Sequence, residues 1–506
     1  MSETTERRSA APTTRTAWPV LLLVCTAAAL IPAGITGPSV ALPGIGADLG
    51  ASLVELQWVV NAYNLTFASA MLAGGTIADL LGRRRVFVAG LAVQGGTTLA
   101  SGLVASPVLL DLLRGLAGVG AAAVMTAGSA LLADVFREPA ERARAFSLLG
   151  ASFGVGLALG PSSAGVLVDL LGWRAVFLGH ALVAAAVLLG VRALPESRDP
   201  DASRVDVPGT LTFTGSLFAL MYAVVEGPQQ GWGSPLVLAG FAAAVALMAA
   251  FVAVERRSAR PMLDLSLLVN GRFMAVCAVP VVLAFGFVCL LVFLPSYFIG
   301  VLGQSPAAAG LTMLLMTVPV VVLPLLAGRL AARFPIGVLL GVATGLIAAG
   351  AAWLTVIGPG VPVLGFAGPL ITIGAGVGIA FGIIDGAAVS TVAPARSGMA
   401  AGLFNTVRLG SEAVAVACLG SLLVTLTRAE LAAALPGTAP GSLDLAANQV
   451  TQGDVAAASA TAGGAPVELL GLAHTSSLHT VLWVLAALSA VLVPPIVLLL
   501  RRPAAA

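Results

Sequence analysis

The sequence predicts an all-α integral membrane protein with fourteen transmembrane helices. Of its 506 residues, 58% are hydrophobic and only 9% are charged, whereas charged residues make up about a quarter of a typical soluble domain. The mean hydropathy of +1.03 indicates that lipid surrounds most of the chain. This composition excludes a large soluble catalytic domain.

Fourteen apolar segments are each long enough to cross the hydrocarbon core as a helix. They are too long and too uniformly apolar to be the alternating strands of a membrane barrel, and a helix satisfies its own backbone hydrogen bonds in lipid. In chain order, the predicted spans are residues 18–42, 54–78, 86–105, 107–132, 144–168, 173–194, 208–226, 234–254, 273–299, 307–331, 335–357, 362–391, 399–427 and 478–500.

The basic residues test this number of spans, because they concentrate on the cytoplasmic side of a membrane. All 25 of them are arginines. With the amino terminus in the cytoplasm, only Arg174 and Arg428 fall on the outer side, and only Arg114 and Arg408 lie well inside spans rather than at their ends. We therefore predict a multi-pass protein of the bacterial cytoplasmic (inner) membrane with both termini cytoplasmic, and an external loop over residues 428–477.

Other classes of function lack the residues they need. The four cysteines, which lie in apolar segments, are expected to be small buried hydrophobes. The sequence shows no cluster of metal ligands, no nucleophile with a base at a recognisable spacing, no phosphate-binding loop and no basic tract for nucleic acid. We therefore predict no metal, no cofactor, no nucleic-acid partner and no enzymatic activity, and a membrane-embedded enzyme or sensor is disfavoured.

The loop after the second span combines an acid, a glycine and a basic cluster. Asp79 ends the helix, Gly82 permits a tight turn, and Arg83 and Arg84 follow at the predicted cytoplasmic surface. A topology anchor alone would explain the arginines. The whole pattern over residues 75–85, however, resembles the signature loop of the major facilitator superfamily, Gly-x-Leu-Ala-Asp-Arg-x-Gly-Arg-Arg. That resemblance implies that these four residues belong to a charge latch that closes the inner face in one state.

Arg114 lies about 10 Å inside the fourth span. A charge at that depth is costly unless it is paired or faces water, so it is a functional candidate. A local pair with Asp111, three residues earlier on the same helical face, is the structural alternative. The segment is similar to the superfamily's Arg-x-x-Gln-Gly motif, with Ala117 for the glutamine, and this similarity implies a role for Arg114 in proton handling.

The fifth span contains glycines at four-residue spacing followed by a proline. Glycines four apart, such as Gly156 and Gly160, remove side chains from one side of the helix, Pro161 removes a backbone donor, and Gly165 follows. Tight helix packing alone would explain the pattern. The run also resembles the superfamily's antiporter motif, Gly-x-x-x-Gly-Pro-x-x-Gly-Gly, which is associated with exporters more than with uptake systems.

Further matches and the number of spans suggest the fourteen-span drug:proton antiporter family. That resemblance implies two six-helix halves, at residues 18–194 and 261–500, on either side of two extra central helices that follow a cytoplasmic linker within residues 195–260. Residues 1–17 and 501–506 would then be cytoplasmic tails. A substrate cavity is expected between the halves near the midplane.

The resemblance fails in the first span, where Gly34 stands in the place of the family's usual acid. A proton-coupled exporter still needs a titratable group that is reachable from both sides. Asp385 and Glu412, together with Arg408, are candidates for proton coupling, but Glu412 lies four residues after Arg408 and would share its helical face as an ion pair. Asp385 would then be the unpaired acid. His180 is a third candidate, for which hydrogen-bonded packing is the alternative.

The sequence predicts a proton-coupled secondary transporter that exports a hydrophobic or amphipathic small molecule, such as a drug or antibiotic. The alternative is an uptake transporter or uniporter of the same superfamily, which the missing first-span acid favours. Expected partners are the substrate, protons and the lipid bilayer, and the protein is expected to be a monomer. The candidates for contact with substrate lie in spans two and nine, and they are Trp58, Asn61, Tyr63, Asn64, Phe285, Phe287 and Tyr297.

Overall fold

A computed structural model of the chain describes residues 14–198, 206–257, 267, 269–331, 333–392 and 397–501. Within these ranges the protein is helical and contains no β-strand, which confirms the predicted all-α fold. Much of the predicted amino-terminal tail, part of the linker at residues 199–205 and 258–260, and residues 502–506 lie outside the described ranges.

Six α-helices form the first of the two predicted halves, residues 18–194. Local sequence sets several of their ends: Ser52 and Glu55 form a reciprocal capping box at the start of the second helix. Gly82 and Gly172 end helices with backbone φ angles of +107° and +81°. The helices are α1 (Thr14–Leu49), α2 (Leu53–Leu81), α3 (Arg83–Ser101), α4 (Pro107–Val135), α5 (Pro139–Leu171) and α6 (Arg174–Gly190).

Two further helices lie between the halves in the sequence, α7 (Val207–Gln230) and α8 (Pro235–Arg257). The first packs against α2, α8 and the long helix of the second half. On α8, in contrast, most side chains are exposed rather than buried. Since these side chains are mainly apolar, α8 is suited to face lipid.

Ten α-helices of the second half lie within the described ranges. Residues 284–288 form a π-helical turn that joins the first two of them into one continuous helical segment, Gly271–Gly300. The predicted span 362–391 is divided, because the α-helix ends at Phe381 and a new one begins at Ile384. The helices are α9 (Gly271–Leu283), α10 (Cys289–Gly300), α11 (Pro306–Ala331), α12 (Ile336–Trp353), α13 (Val363–Phe381), α14 (Ile384–Ser390), α15 (Ser397–Ala434), α16 (Pro440–Gln452), α17 (Val455–Thr461) and α18 (Val467–Arg501).

Twelve helices in the described ranges are long and apolar enough to cross a membrane, and α2, which bends by 58°, would be a thirteenth. The predicted fourteen spans are therefore not confirmed. The remaining predicted span corresponds to α3, whose 19 residues begin with three arginines and include Gln94. Many large apolar side chains are exposed, such as Leu189 (85%) and Leu364 (88%), as expected of a surface that contacts lipid.

Two ends of the helix bundle can be distinguished by their residues. We call the end at which α2 passes into α3, near Arg83, the basic end. At the opposite end, the Asp48 carboxylate accepts hydrogen bonds from Trp173 Nε1 (3.1 Å) and Arg174 Nη1 (2.5 Å). We call this the Trp173 end. These bonds fasten the end of α1 to the start of α6.

Helix α5 packs on α1 through the glycines of its motif. A Cβ atom at Gly156 would collide with the carbonyl oxygen of Ala29, and one at Gly160 would collide with Thr36 Oγ1. Gly150, on the same helix, has open space in place of a Cβ. The two helices therefore approach to backbone contact along one side of α5 only, as small residues allow in membranes.

Gly156→Ala is expected to destabilise the protein by about 1–3 kcal/mol, because the new methyl group forces α5 away from α1. Gly150→Ala is the matched control, and its added methyl group meets no neighbour. Thermal unfolding of the two variants in detergent tests this expectation. Equal midpoints for both variants would contradict the described contact.

Candidate functional site

A cluster of ion pairs surrounds Arg83 at the basic end. Its Nη2 lies 2.8 Å from Asp79 Oδ1, and its Nη1 lies 2.5 Å from Asp134 Oδ2 at the end of α4. The Arg83 side chain is 16% exposed, so its charge is partly desolvated and two carboxylates compensate it. Sequence analysis did not find Asp134, because 51 positions separate it from Arg83 and no local spacing joins them.

The segment after α6 completes this cluster. Arg83 N–H donates to Ser197 O (2.9 Å), and Arg84 contributes its backbone N–H, which donates to Glu196 Oε1 (3.3 Å). A Cβ at Gly82 would lie 2.7 Å from the same carboxylate oxygen, and its φ of +107° also favours glycine. The cluster thus joins the α2–α3 turn to α4 and to the chain that leaves α6.

Arg114 is only 2% exposed and contacts three neighbouring groups. Its Nη2 donates to Gly34 O (2.6 Å), its Nε donates to Val59 O (2.8 Å), and its guanidinium lies 4.5 Å from the centre of the Tyr63 ring. Among the described residues no carboxylate lies within 4 Å of it, so the local pair with Asp111 does not form. Carbonyl dipoles and a ring face stabilise this cation instead.

A cavity of 20 Å³ adjoins Arg114 within the first half. His180 lines it and donates from Nδ1 to Val176 O at 2.7 Å, which is the hydrogen-bonded packing that the sequence left as an alternative. Gln94 also lines it, and its Oε1 is buried without a partner. The structure therefore places two of the predicted proton-coupling residues, Arg114 and His180, around one polar cavity.

The other three proton-coupling candidates meet in the second half. Arg408 Nη1 lies 3.9 Å from Asp385 Oδ1, and Arg408 Nε lies 3.8 Å from Glu412 Oε1. The expectation that Asp385 is unpaired is therefore wrong. The break between α13 and α14 is not visible in the apolar pattern, and it leaves Gly382 and Ile383 outside both helices just before Asp385.

The Arg408 cluster lies where the halves meet. Its guanidinium lies 5.3 Å from the ring of Phe153 on α5 and 5.0 Å from the ring of Phe381 on α13. The Asp385 side chain is 61% exposed, whereas that of Glu412 is 12% exposed. One cation is thus shared by an accessible acid and a buried acid.

A second cavity, of 30 Å³, lies between the halves toward the Trp173 end, and we call it the central cavity. Helices α1 and α2 line one side, α10 and α15 line the other, and Thr451 and Gln452 of α16 cover it. Its polar groups include Gln57 and Asn61, whose amide oxygens are buried without a partner. Gln57 was missed by sequence analysis, although residues 57, 61 and 64 lie on one helical face.

The substrate-contact candidates of α2 point into different surroundings. Asn61 lines the central cavity, Tyr63 packs on Arg114, and Trp58 packs on Phe218 of α7 with ring centroids 5.6 Å apart. Both polar side-chain atoms of Asn64 are buried without a partner.

The three residues of span nine that were predicted to contact substrate also lie in different surroundings. Tyr297 is 1% exposed and its hydroxyl lies 2.8 Å from Thr475 Oγ1 of α18. Phe287 is completely buried, whereas Phe285 is partly buried. The structure does not bring these three residues together around the central cavity.

The glycine-proline motif of α5 lies at the junction between the halves. A Cβ at Gly165 would collide with Pro306 O of α11, and one at Gly310 would lie 2.5 Å from Pro161 O. Ser162 Oγ donates to Gly310 O at 3.0 Å. Helix α5 therefore contacts α1 through Gly156 and Gly160 and contacts α11 of the other half through Pro161 and Gly165.

Comparison with known proteins gives consistent results. A sequence profile of the Major Facilitator Superfamily matches residues 22–416. The chain is 37% identical to puromycin resistance protein pur8 of Streptomyces alboniger, across 84% of this chain and 85% of that protein. It is 34% identical to multidrug resistance protein Stp of Mycobacterium tuberculosis, across 78% of this chain and 73% of that protein.

Solved structures match the fold. The nucleoside transporter NupG matches with a TM-score of 0.58 and 13% identity, over 96% of this chain and 99% of that one. A bacterial homolog of the human lysosomal transporter Spinster matches with a TM-score of 0.60 and 18% identity, over 98% of this chain and 100% of that one.

Arg83→Gln and Asp134→Asn are each expected to destabilise the protein by about 1–2 kcal/mol, because each leaves a partly desolvated charge without its partner. Arg85→Gln is the control, since Arg85 is 76% exposed and lies 3.6 Å from Glu196. Thermal unfolding of the single and double variants measures the coupling energy. Strictly additive losses would show that Arg83 and Asp134 do not interact.

Proposed function

This chain belongs to the Major Facilitator Superfamily, and we propose that it is a proton-coupled transporter that exports a hydrophobic or amphipathic small molecule, such as a drug or antibiotic. The relatives named above are described as resistance proteins. The observation that carries the proton-coupling part of the proposal is the Arg408 cluster. It places two carboxylates and one cation at the junction of the halves.

The charge balance of this cluster suggests how it would use a proton. Arg408 offers one positive charge to Asp385 and Glu412, so the cluster has an excess negative charge until one acid binds a proton. A net charge in a low-dielectric site is unfavourable, and this favours protonation before the cluster is closed off. The accessible Asp385 would exchange the proton with solvent, while Glu412 would compete for Arg408.

We also propose that the chain crosses the membrane fourteen times. Counting α2 and α3 as spans gives two six-helix halves, at residues 18–194 and 261–500, with α7 and α8 as the extra pair. The 19 residues of α3 extend about 28 Å, close to the thickness of the hydrocarbon core. The basic end would then face the cytoplasm, and α16 and α17 would lie outside. A monomer with small-molecule substrate, protons and lipid as its partners completes the proposal.

The central cavity suggests the type of cargo. Its walls are mostly apolar, with Leu42, Val292 and Phe293 among them, and its polar groups are uncharged amides and hydroxyls. Apolar walls with a few hydrogen-bonding groups suit an amphipathic molecule, and at 30 Å³ the cavity would have to widen, by movement of the halves, to admit one. Gln57 and Asn61 would orient such a cargo, and the glycine contacts of α5 would let the halves move against each other.

Uptake or uniport without proton coupling is the second candidate. The observation that favours it is Gly34, which leaves α1 without an acid beside Arg114 and offers only its carbonyl oxygen. In that case substrate would exchange across the membrane without any response to a proton gradient.

A vesicle experiment separates the two candidates. In inverted vesicles from an efflux-deficient host, a panel of amphipathic antibiotics that begins with puromycin is tested for uptake with an imposed proton gradient. Uptake that stops when the gradient is collapsed is expected. Substrate counterflow that does not depend on the proton gradient would instead establish a uniporter. If expression of the protein leaves the antibiotic resistance of the host cells unchanged, export of these antibiotics is excluded.

Asp385→Asn and Glu412→Gln test the Arg408 cluster directly. Each substitution removes a titratable group but keeps the side-chain shape, so gradient-driven transport is expected to fall at least about tenfold, while substrate counterflow persists. Asp169→Asn, an exposed acid near the end of α5, is the matched control and should transport normally. Full gradient dependence in both cluster variants would exclude these acids as the coupling groups.

A further inference from the structure

The charge of Arg114 has no counter-charge beside it. Two of its nitrogens, Nε and Nη2, donate to the carbonyl oxygens of Val59 and Gly34, and Nη1 has no acceptor in the described part of the protein. Carbonyl oxygens contribute dipoles but no net charge. A buried guanidinium without a carboxylate is an unfavourable state that a bound anion would relieve.

The neighbouring titratable groups do not supply that charge at contact distance. Asp111 is one helical turn away, lies beyond 4 Å, and has a buried Oδ1 without a partner. The Tyr63 hydroxyl lies 3.4 Å from Gln94 Nε2 and the same distance from Ile31 O. His180 donates to Val176 O and is not an acid.

The 20 Å³ cavity lies beside this unneutralised cation. Gly34, Tyr63, Gln94, Thr98, Arg114 and His180 are among the residues that line it. Its volume is sufficient for one water-sized group. Arg114, the Tyr63 hydroxyl, the Gln94 amide and the Thr98 hydroxyl can all donate hydrogen bonds, and rotation of the Gln94 amide exchanges its unpartnered oxygen for a donor.

We propose that this cavity binds a small monovalent anionic group against Arg114. The group is either a halide ion such as chloride or the carboxylate of a small acid. The site lies between α1, α2, α3, α4 and α6 of the first half, apart from the central cavity and from the Arg408 cluster. It goes beyond the proposed export and does not depend on it.

Space next to Gly34 permits a sharp test with a tethered carboxylate. A Cβ at Gly34 would lie 3.5 Å from the Tyr63 hydroxyl oxygen, an ordinary contact, so a short side chain can enter here. Gly34→Asp would place a tethered carboxylate next to Arg114, whereas Gly34→Asn would fill the same space without charge.

Thermal unfolding of the purified full-length protein gives a readout that requires no transport. Chloride is titrated against gluconate, whose carboxylate is attached to a chain too large for the cavity, at constant ionic strength. Acetate is compared with acetamide in separate titrations. The wild-type midpoint is expected to rise saturably by a few degrees with chloride or with acetate, and Gly34→Asp is expected to lose that rise. In halide-free buffer, Gly34→Asp should unfold at a higher temperature than Gly34→Asn.

The outcomes identify the source of the anion or overturn the proposal. A response to chloride alone assigns an inorganic anion, and a response to acetate but not acetamide assigns a carboxylate. Equal midpoints for wild-type protein in all four solutes would overturn the site. If both Gly34 variants fail to fold, crystals of the wild-type protein grown in bromide test the anion site instead. An anomalous peak within hydrogen-bonding distance of Arg114 supports the site, and the absence of such a peak refutes it.

Discussion

The low dielectric of the membrane interior is the constraint on which the rest of this structure depends. A buried charge must find its compensation within the protein, because lipid offers no hydrogen bonds. Three arginines show three forms of compensation. Arg83 contacts two carboxylates at the basic end, Arg408 shares two more distant carboxylates at the junction of the halves, and Arg114 has only carbonyl oxygens and an aromatic ring.

These differences suit different tasks. Short, partly buried ion pairs around Arg83 hold the α2–α3 turn to α4. The longer distances around Arg408 leave neither acid firmly bound, which the proposed exchange of protons during transport would require. Between these sites, α5 contacts α1 and α11 at backbone distance because glycines occupy the contact positions. Small residues allow such close packing of helices in membranes.

Local spacing was a good guide to site residues only within one helix. The four-residue separation of Arg408 and Glu412 predicted their proximity, and the i, i+4 separation of Asp79 and Arg83 places them in contact. Asp134 and Glu196 were missed because their partners come from other helices, whereas Gln57 was missed although it shares a helical face with Asn61. The predicted isolation of Asp385 was wrong because Arg408, from another helix, lies beside it after a helix break that the apolar pattern does not show.

The sequence by itself determined that the chain is helical, lies in a membrane and resembles the superfamily to which it belongs, because apolar length and short motifs are local properties. Only the tertiary structure decided the rotation of each helix about its axis. Most of these helices are apolar on every side, so no amphipathic pattern shows which face is buried. The directions of Trp58, Asn61 and Tyr63, and the partners of the buried arginines, are therefore set by packing between helices.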